Sequence, residues 1–64
     1  MSIIDAKVKF KKIFANLPSN IRNEDIIVVV DDKPHTWNSA YFEIKNDTLE
    51  GKKILDKLVK MGIL

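Results

Sequence analysis

Five β-branched residues in succession, Ile26–Val30, constrain the fold of this chain more than any other feature of its sequence. Valine and isoleucine favour strands because their branched side chains pack well on a pleated surface. The run contains no alternating polar residues, and such continuity is typical of a strand that is covered on both faces. We therefore predict a strand over Ile26–Val30 that helices or a second copy of the chain hide from water on both sides.

The chain is short, and its 64 residues predict a single domain spanning residues 1–64. A domain of this size buries only about 60% of its unfolded surface, so its core is marginal unless disulfides, a metal or a partner subunit adds stability. The sequence has no cysteine and one histidine, which excludes disulfides and zinc sites built on thiolates or on several histidines. Association with another chain is therefore the remaining way to add stability to the core.

Helices are predicted before and after the strand. Apolar residues recur at steps of three and four over residues 3–17, which predicts an amphipathic helix with Ser2 as its N-cap. Residues 18–24 are predicted to be a connector with at most one helical turn. Residues 49–61 give the clearest helical pattern, and Gly62 follows where a left-handed C-terminal cap is expected.

A hairpin is predicted between these helices. Residues 31–34 are typical of a turn, and the chain can return from it as a second strand over residues 35–37. Residues 36–45 fit both a strand and a helix, and the helix is favoured because its stripe contains Trp37 and Tyr41. The predicted order is α-β-β-α-α, a small α+β domain whose helices pack on a hairpin that can pair with a second copy.

No group of residues has catalytic or metal-binding spacing. Asp31, Asp32 and His35 are a cluster of metal-ligand types, but adjacent acids before a proline are more typical of a turn. The three serines share one candidate general base, His35, and none lies in the glycine context of a nucleophile elbow. We therefore expect no enzymatic activity, no metal and no cofactor.

The sequence favours a non-enzymatic interaction domain, which either associates with itself or acts as an accessory subunit of a larger complex. Its expected contact surface consists of apolar residues on the strand and outside the main helical stripes: Ile4, Val8, Ile27, Val29 and Phe42. Residues 1–22 carry five basic residues against one acid, whereas residues 23–48 carry six acids against two lysines. This distribution allows two copies to pair, and a homodimer is the expected state.

Weak, non-specific nucleic-acid binding is the alternative function. It would use lysines of the first and last helices: Lys7, Lys11, Lys12, Lys53 and Lys57. However, ten of the eleven basic residues are lysine and the net charge is only +2, whereas readout of bases and phosphates favours the planar guanidinium of arginine. The interaction domain is therefore preferred.

The sequence contains no run of 18 apolar residues, and charged side chains interrupt the apolar positions of residues 1–12. We therefore expect no membrane span and no secretion signal, and we expect a cytoplasmic protein.

Trp37 and Tyr41 are expected to be core aromatics, because a chain with five aromatic residues has few others to fill its interior. Replacing Trp37 with alanine should then cost about 3–5 kcal/mol of unfolding free energy. Urea denaturation measures this loss, with Lys45→Ala on the predicted outer face as the control. A Trp37→Ala variant as stable as the control would contradict the core assignment.

Overall fold

The computed structural model describes residues 3–64, which form six elements in the order α-α-β-β-α-α. These are α1 (Ile3–Ala15), α2 (Ser19–Glu24), β1 (Ile26–Val30), β2 (Lys33–Thr36), α3 (Trp37–Lys45) and α4 (Leu49–Lys60). The strands form one antiparallel hairpin, on which the helices pack, so the predicted α+β class is confirmed. The predicted N-cap, Ser2, lies outside the described residues.

Helix α2 adds one element to the predicted order, because the connector contains a helix of six residues. Its sequence gives weak helical signals, and a helix this short is marginal by itself. The guanidinium of Arg22 lies 4.4 Å from the centroid of the Phe14 ring and donates a hydrogen bond to the Ala15 carbonyl at 3.2 Å. These contacts tie α2 to α1 and stabilise a turn that local sequence signals do not predict.

The hairpin turns tightly at Asp31 and Asp32. Val30 and Lys33 pair across this two-residue turn, and both aspartates have positive φ, 50° and 66°. Positive φ at both central residues is the mark of a type I′ turn, whose twist matches that of the flanking strands. Aspartate tolerates this left-handed conformation better than most residues other than glycine.

Strand β1 is covered on one face only, so the prediction of burial on both faces is wrong for the single chain. Val28 and Val30 are buried, whereas Ile26 is 54% exposed and Val29 is 46% exposed. The strand pairing is irregular between Ile26 and Val28, and Ile27 is the extra residue of this β-bulge. Ile27 therefore packs against the core together with Val28, its neighbour in sequence.

Helices α3 and α4 begin and end at the signals that the sequence carries. The Thr36 side chain accepts a hydrogen bond from the Ser39 N–H, and the Thr48 side chain accepts one from the Gly51 N–H. The helix favoured over residues 36–45 is therefore confirmed. At the end of α4, Gly62 has a φ of 79°, and the Ile63 N–H donates to the Leu58 carbonyl at 3.0 Å, which completes a Schellman closure.

The core lies where α4 meets the hairpin, α3 and α1. Helix α4 packs against β1, α3 and α2 pack against β2, and α1 packs against α3 and α4. The largest fully buried side chains of the core are Phe10, Ile44, Ile54 and Leu58. Trp37 and Tyr41 also pack against this core, and their rings lie 5.4 Å from Phe10 and 4.3 Å from Phe14, respectively. Both aromatics are half-buried at the edge of the core, so they contribute to it without lying in its fully buried part.

The close packing of α3 against α4 depends on a glycine. A β-carbon built at Gly51 would lie 2.5 Å from the carbonyl oxygen of Glu43 and 2.9 Å from the backbone nitrogen of Ile44. Any side chain at this position would therefore force the two helices apart.

Gly51→Ala is expected to lower the melting temperature, although alanine is favoured over glycine in a helix interior by about 1 kcal/mol. The backbone clash with Glu43 outweighs that preference, because the contacting atoms belong to main chain that cannot rotate away. Circular dichroism during heating measures the change, and Lys52→Ala, at the next and exposed position, is the control. A Gly51→Ala variant more stable than the wild type would contradict the close approach.

Candidate interaction surface

Four of the five residues predicted to make contacts with a partner are exposed: Ile4, Val8, Val29 and Phe42. Ile4 is 70% exposed and Phe42 is 61% exposed, which are high values for large apolar side chains. Ile27 differs from the other four, because the β-bulge directs it to the core of its own chain.

Ile26 takes the place that the sequence assigned to Ile27. The exposed side of β1 therefore presents Ile26 and Val29. A regular strand would expose alternate residues, and the run of five β-branched side chains contains no local signal for a bulge. Other exposed large apolar residues that the analysis of the sequence missed are Ile3, Leu49, Met61 and Ile63.

The outer side of α1 combines apolar and basic residues. Ile4 and Val8 are one helical turn apart and both are exposed. Val8 lies in a shallow depression that is also lined by Asp5, Lys9 and Lys12. The buried side of the same helix carries Ala6 and Phe10, so α1 has apolar residues on two sides.

Two ion pairs join distant segments of the chain. Lys7 donates a hydrogen bond to Asp47, and this bond together with the charge of Lys7 holds the pKa of the Asp47 carboxyl below its usual value. Lys53 binds Asp31 at 2.8 Å, and the hydrogen bond and charge of each partner lower the pKa of Asp31 and raise the pKa of Lys53. Both carboxylates therefore keep their negative charge at neutral pH.

The lysines of the alternative function do not form one free basic surface. Lys7 and Lys53 are in the ion pairs just described, and Lys57 donates a hydrogen bond to the Val29 carbonyl. Lys11 and Lys12 are exposed on α1. Three of the five lysines are thus bound to groups of their own chain.

Charged side chains without a hydrogen-bond or ion-pair partner concentrate in two places of the described chain, residues 3–64. On α1 they are Lys9, Lys11 and Lys12, and around the ends of β1 they are three acids, Glu24, Asp25 and Asp32, and one base, Lys33. Three of the six unpaired bases of residues 3–64 therefore lie on the helix that carries Ile4 and Val8, and the unpaired acids lie near the ends of β1.

His35 is 7% exposed and forms the centre of a hydrogen-bonded cluster. Its Nδ1 lies 2.6 Å from Ser39 Oγ, and its Nε2 lies 2.8 Å from Glu50 Oε2. In a neutral imidazole that donates Nε2–H to the Glu50 carboxylate, Nδ1 accepts the proton of the Ser39 hydroxyl. The cluster joins β2, α3 and α4, and the sequence does not reveal it because Glu50 is distant along the chain.

The three residues of metal-ligand type near the turn, which the sequence analysis assigned to turn formation, do not converge. Asp31 binds Lys53, Asp32 is exposed in the turn, and His35 binds Ser39 and Glu50 inside the fold. Within residues 3–64, no three histidine, aspartate or glutamate side chains lie together in a way that could hold a metal ion.

Glu50→Ala is expected to cost about 1–3 kcal/mol of unfolding free energy, because the buried His35 Nε2 loses its partner. Glu50→Gln is the matched control, since its amide oxygen can still accept from Nε2–H, and we expect it to lose less. Chemical denaturation measures both variants. If the two variants lost equal unfolding free energy, or if Glu50→Ala lost none, the role of this hydrogen bond would be contradicted.

No helix of the described segment, residues 3–64, is both long enough and apolar enough to cross a bilayer. No family model, curated protein or solved structure matches the chain.

Proposed function

We propose that this chain is a non-catalytic protein-interaction domain that associates with itself. The observation that carries the proposal is the uncovered side of the hairpin, where Ile26 and Val29 lie in solvent on a sheet of two strands. Edge strands with exposed apolar side chains are prone to pair with another chain. The accessory-subunit form of the same function would use this surface for a different protein.

The energetic reason for association is the small size of the fold. A chain of 64 residues has a marginal core, and a partner that covers its exposed apolar side chains adds stability. Each square ångström of apolar surface removed from water contributes roughly 25 cal/mol. Ile4, Val8 and Phe42 extend the apolar area that a partner can cover beyond the hairpin.

The geometry of the histidine cluster supports the non-catalytic part of the proposal. Ser39, His35 and Glu50 follow the order of a catalytic triad. However, the Ser39 N–H donates to the Thr36 hydroxyl at 3.1 Å and is thus not free to stabilise an oxyanion. The cluster instead resembles a structural hydrogen-bond network that satisfies a buried imidazole.

A fluorophosphonate probe is therefore expected not to label the chain, because the Ser39 N–H is bound to the Thr36 hydroxyl and cannot donate to an oxyanion. Intact-mass spectrometry after incubation with the probe measures this, with a known serine hydrolase as the positive control. Covalent labelling that disappears in both Ser39→Ala and His35→Gln would contradict the non-catalytic proposal.

The wild-type chain is expected to show a concentration-dependent mass above 7.4 kDa in sedimentation equilibrium at micromolar concentration. Val29→Lys should restore the 7.4 kDa monomer, because it places a charge among the apolar residues of β1. Leu49→Lys, at an exposed apolar position on α4, is the matched control and should associate like the wild type. A wild-type monomer at every concentration would overturn self-association.

Nucleic-acid binding remains the alternative from the sequence, and no contact in the fold favours it. Heparin chromatography separates the two functions, because a nucleic-acid-binding chain is retained at low ionic strength and released by salt. A chain that only associates with itself is expected to bind heparin weakly at most.

A further inference from the structure

The two exposed apolar surfaces of the chain carry opposite unpaired charges. We define the α1 surface as Ile4 and Val8 with Lys9, Lys11 and Lys12. We define the hairpin surface as Ile26 and Val29 with Glu24 and Asp25. All of these side chains are exposed, and none of the charged ones has a hydrogen-bond or ion-pair partner within residues 3–64. The charge of Lys11 also acts at longer range on Asp47.

Other charges near each surface do not remove this contrast. Asp5 lies in the depression on α1, and it already takes part in an interaction within the chain. Lys57 donates a hydrogen bond to the Val29 carbonyl, a neutral group that does not offset the charge of the lysine, so this end of the hairpin surface is not acidic. At the turn, Lys53 pairs with Asp31, and the exposed Lys33 lies next to Asp32. The acidic part of the hairpin surface is therefore the start of β1, and the basic part of the α1 surface is its outer side.

Pairing of like surfaces is disfavoured. An antiparallel pair of β1 strands centred on Val28 would place Glu24 opposite Asp32 of the second copy, and like charges directly opposite each other destabilise a sheet. It would also place Asp25 opposite Asp31, whose charge is already paired with Lys53. In addition, Lys57 already occupies the Val29 carbonyl at this edge. Pairing two α1 surfaces would bring two sets of unpaired lysines together.

We propose that self-association joins unlike surfaces, with the α1 surface of one copy docked on the hairpin surface of a second copy. The apolar pairs, Ile4 with Val8 and Ile26 with Val29, then cover each other, and the unpaired lysines face the unpaired acids. This inference rests on the proposed function, and it names the partner as a second copy of this chain and the residues through which it binds.

Charge reversal on each surface tests the inference. Lys9→Glu with Lys12→Glu reverses the α1 surface, and Glu24→Lys with Asp25→Lys reverses the hairpin surface. Each double variant alone should associate at least about tenfold more weakly than the wild type, because like charges then meet. An equimolar mixture of the two should regain association, because the α1 surface of one variant again faces opposite charges on the other.

Lys45→Glu with Lys52→Glu is the control for the α1 double variant, since it lowers the net charge by the same amount at exposed lysines outside both surfaces. Far-UV circular dichroism checks that each variant is folded, and sedimentation equilibrium measures the association. A monomeric wild type would overturn the proposed function. If the wild type associates, the proposed function stands. This inference is then overturned if either double variant associates as strongly as the wild type, or if the mixture of the two stays monomeric.

Discussion

The fold depends on one constraint, which is that helices cover a two-stranded sheet on one face only. Helix α4 packs against β1, and α2 and α3 pack against β2, so Val28 and Val30 are buried with the core. The same arrangement leaves Ile26 and Val29 in solvent. The β-bulge decides which isoleucine is left outside, because it directs Ile27 to the core and Ile26 to the exposed side.

The buried face of the hairpin also includes one polar side chain, and its neighbours satisfy it. His35 follows Pro34 in β2, where a regular strand would direct it to the helices, and Ser39 and Glu50 bind its two ring nitrogens. A buried imidazole without such partners would destabilise the fold. The capping threonines sit beside this cluster in sequence, since Thr36 begins α3 and Thr48 begins α4.

Features set by neighbouring residues could be predicted from the sequence, and features set by distant contacts could not. The caps at Thr36 and Gly62 and the helical stripe of α4 are local, and the fold confirms the helices that they delimit. Helix α2 depends on the stacking of Arg22 over Phe14, which only the tertiary structure brings about. The exchange of roles between Ile26 and Ile27, which alters the candidate surface, likewise depends on a pairing irregularity with β2.

In this account, the side of β1 that the helices leave open is completed by the outer side of α1 from a second copy. Dilution of an isotope-labelled sample, followed by two-dimensional amide NMR spectra, tests this most directly. The account predicts that the resonances of Ile4, Val8, Ile26 and Val29 shift with concentration while that of Leu49 does not. Spectra that do not change with concentration, or shifts centred on α3 and α4, would contradict it.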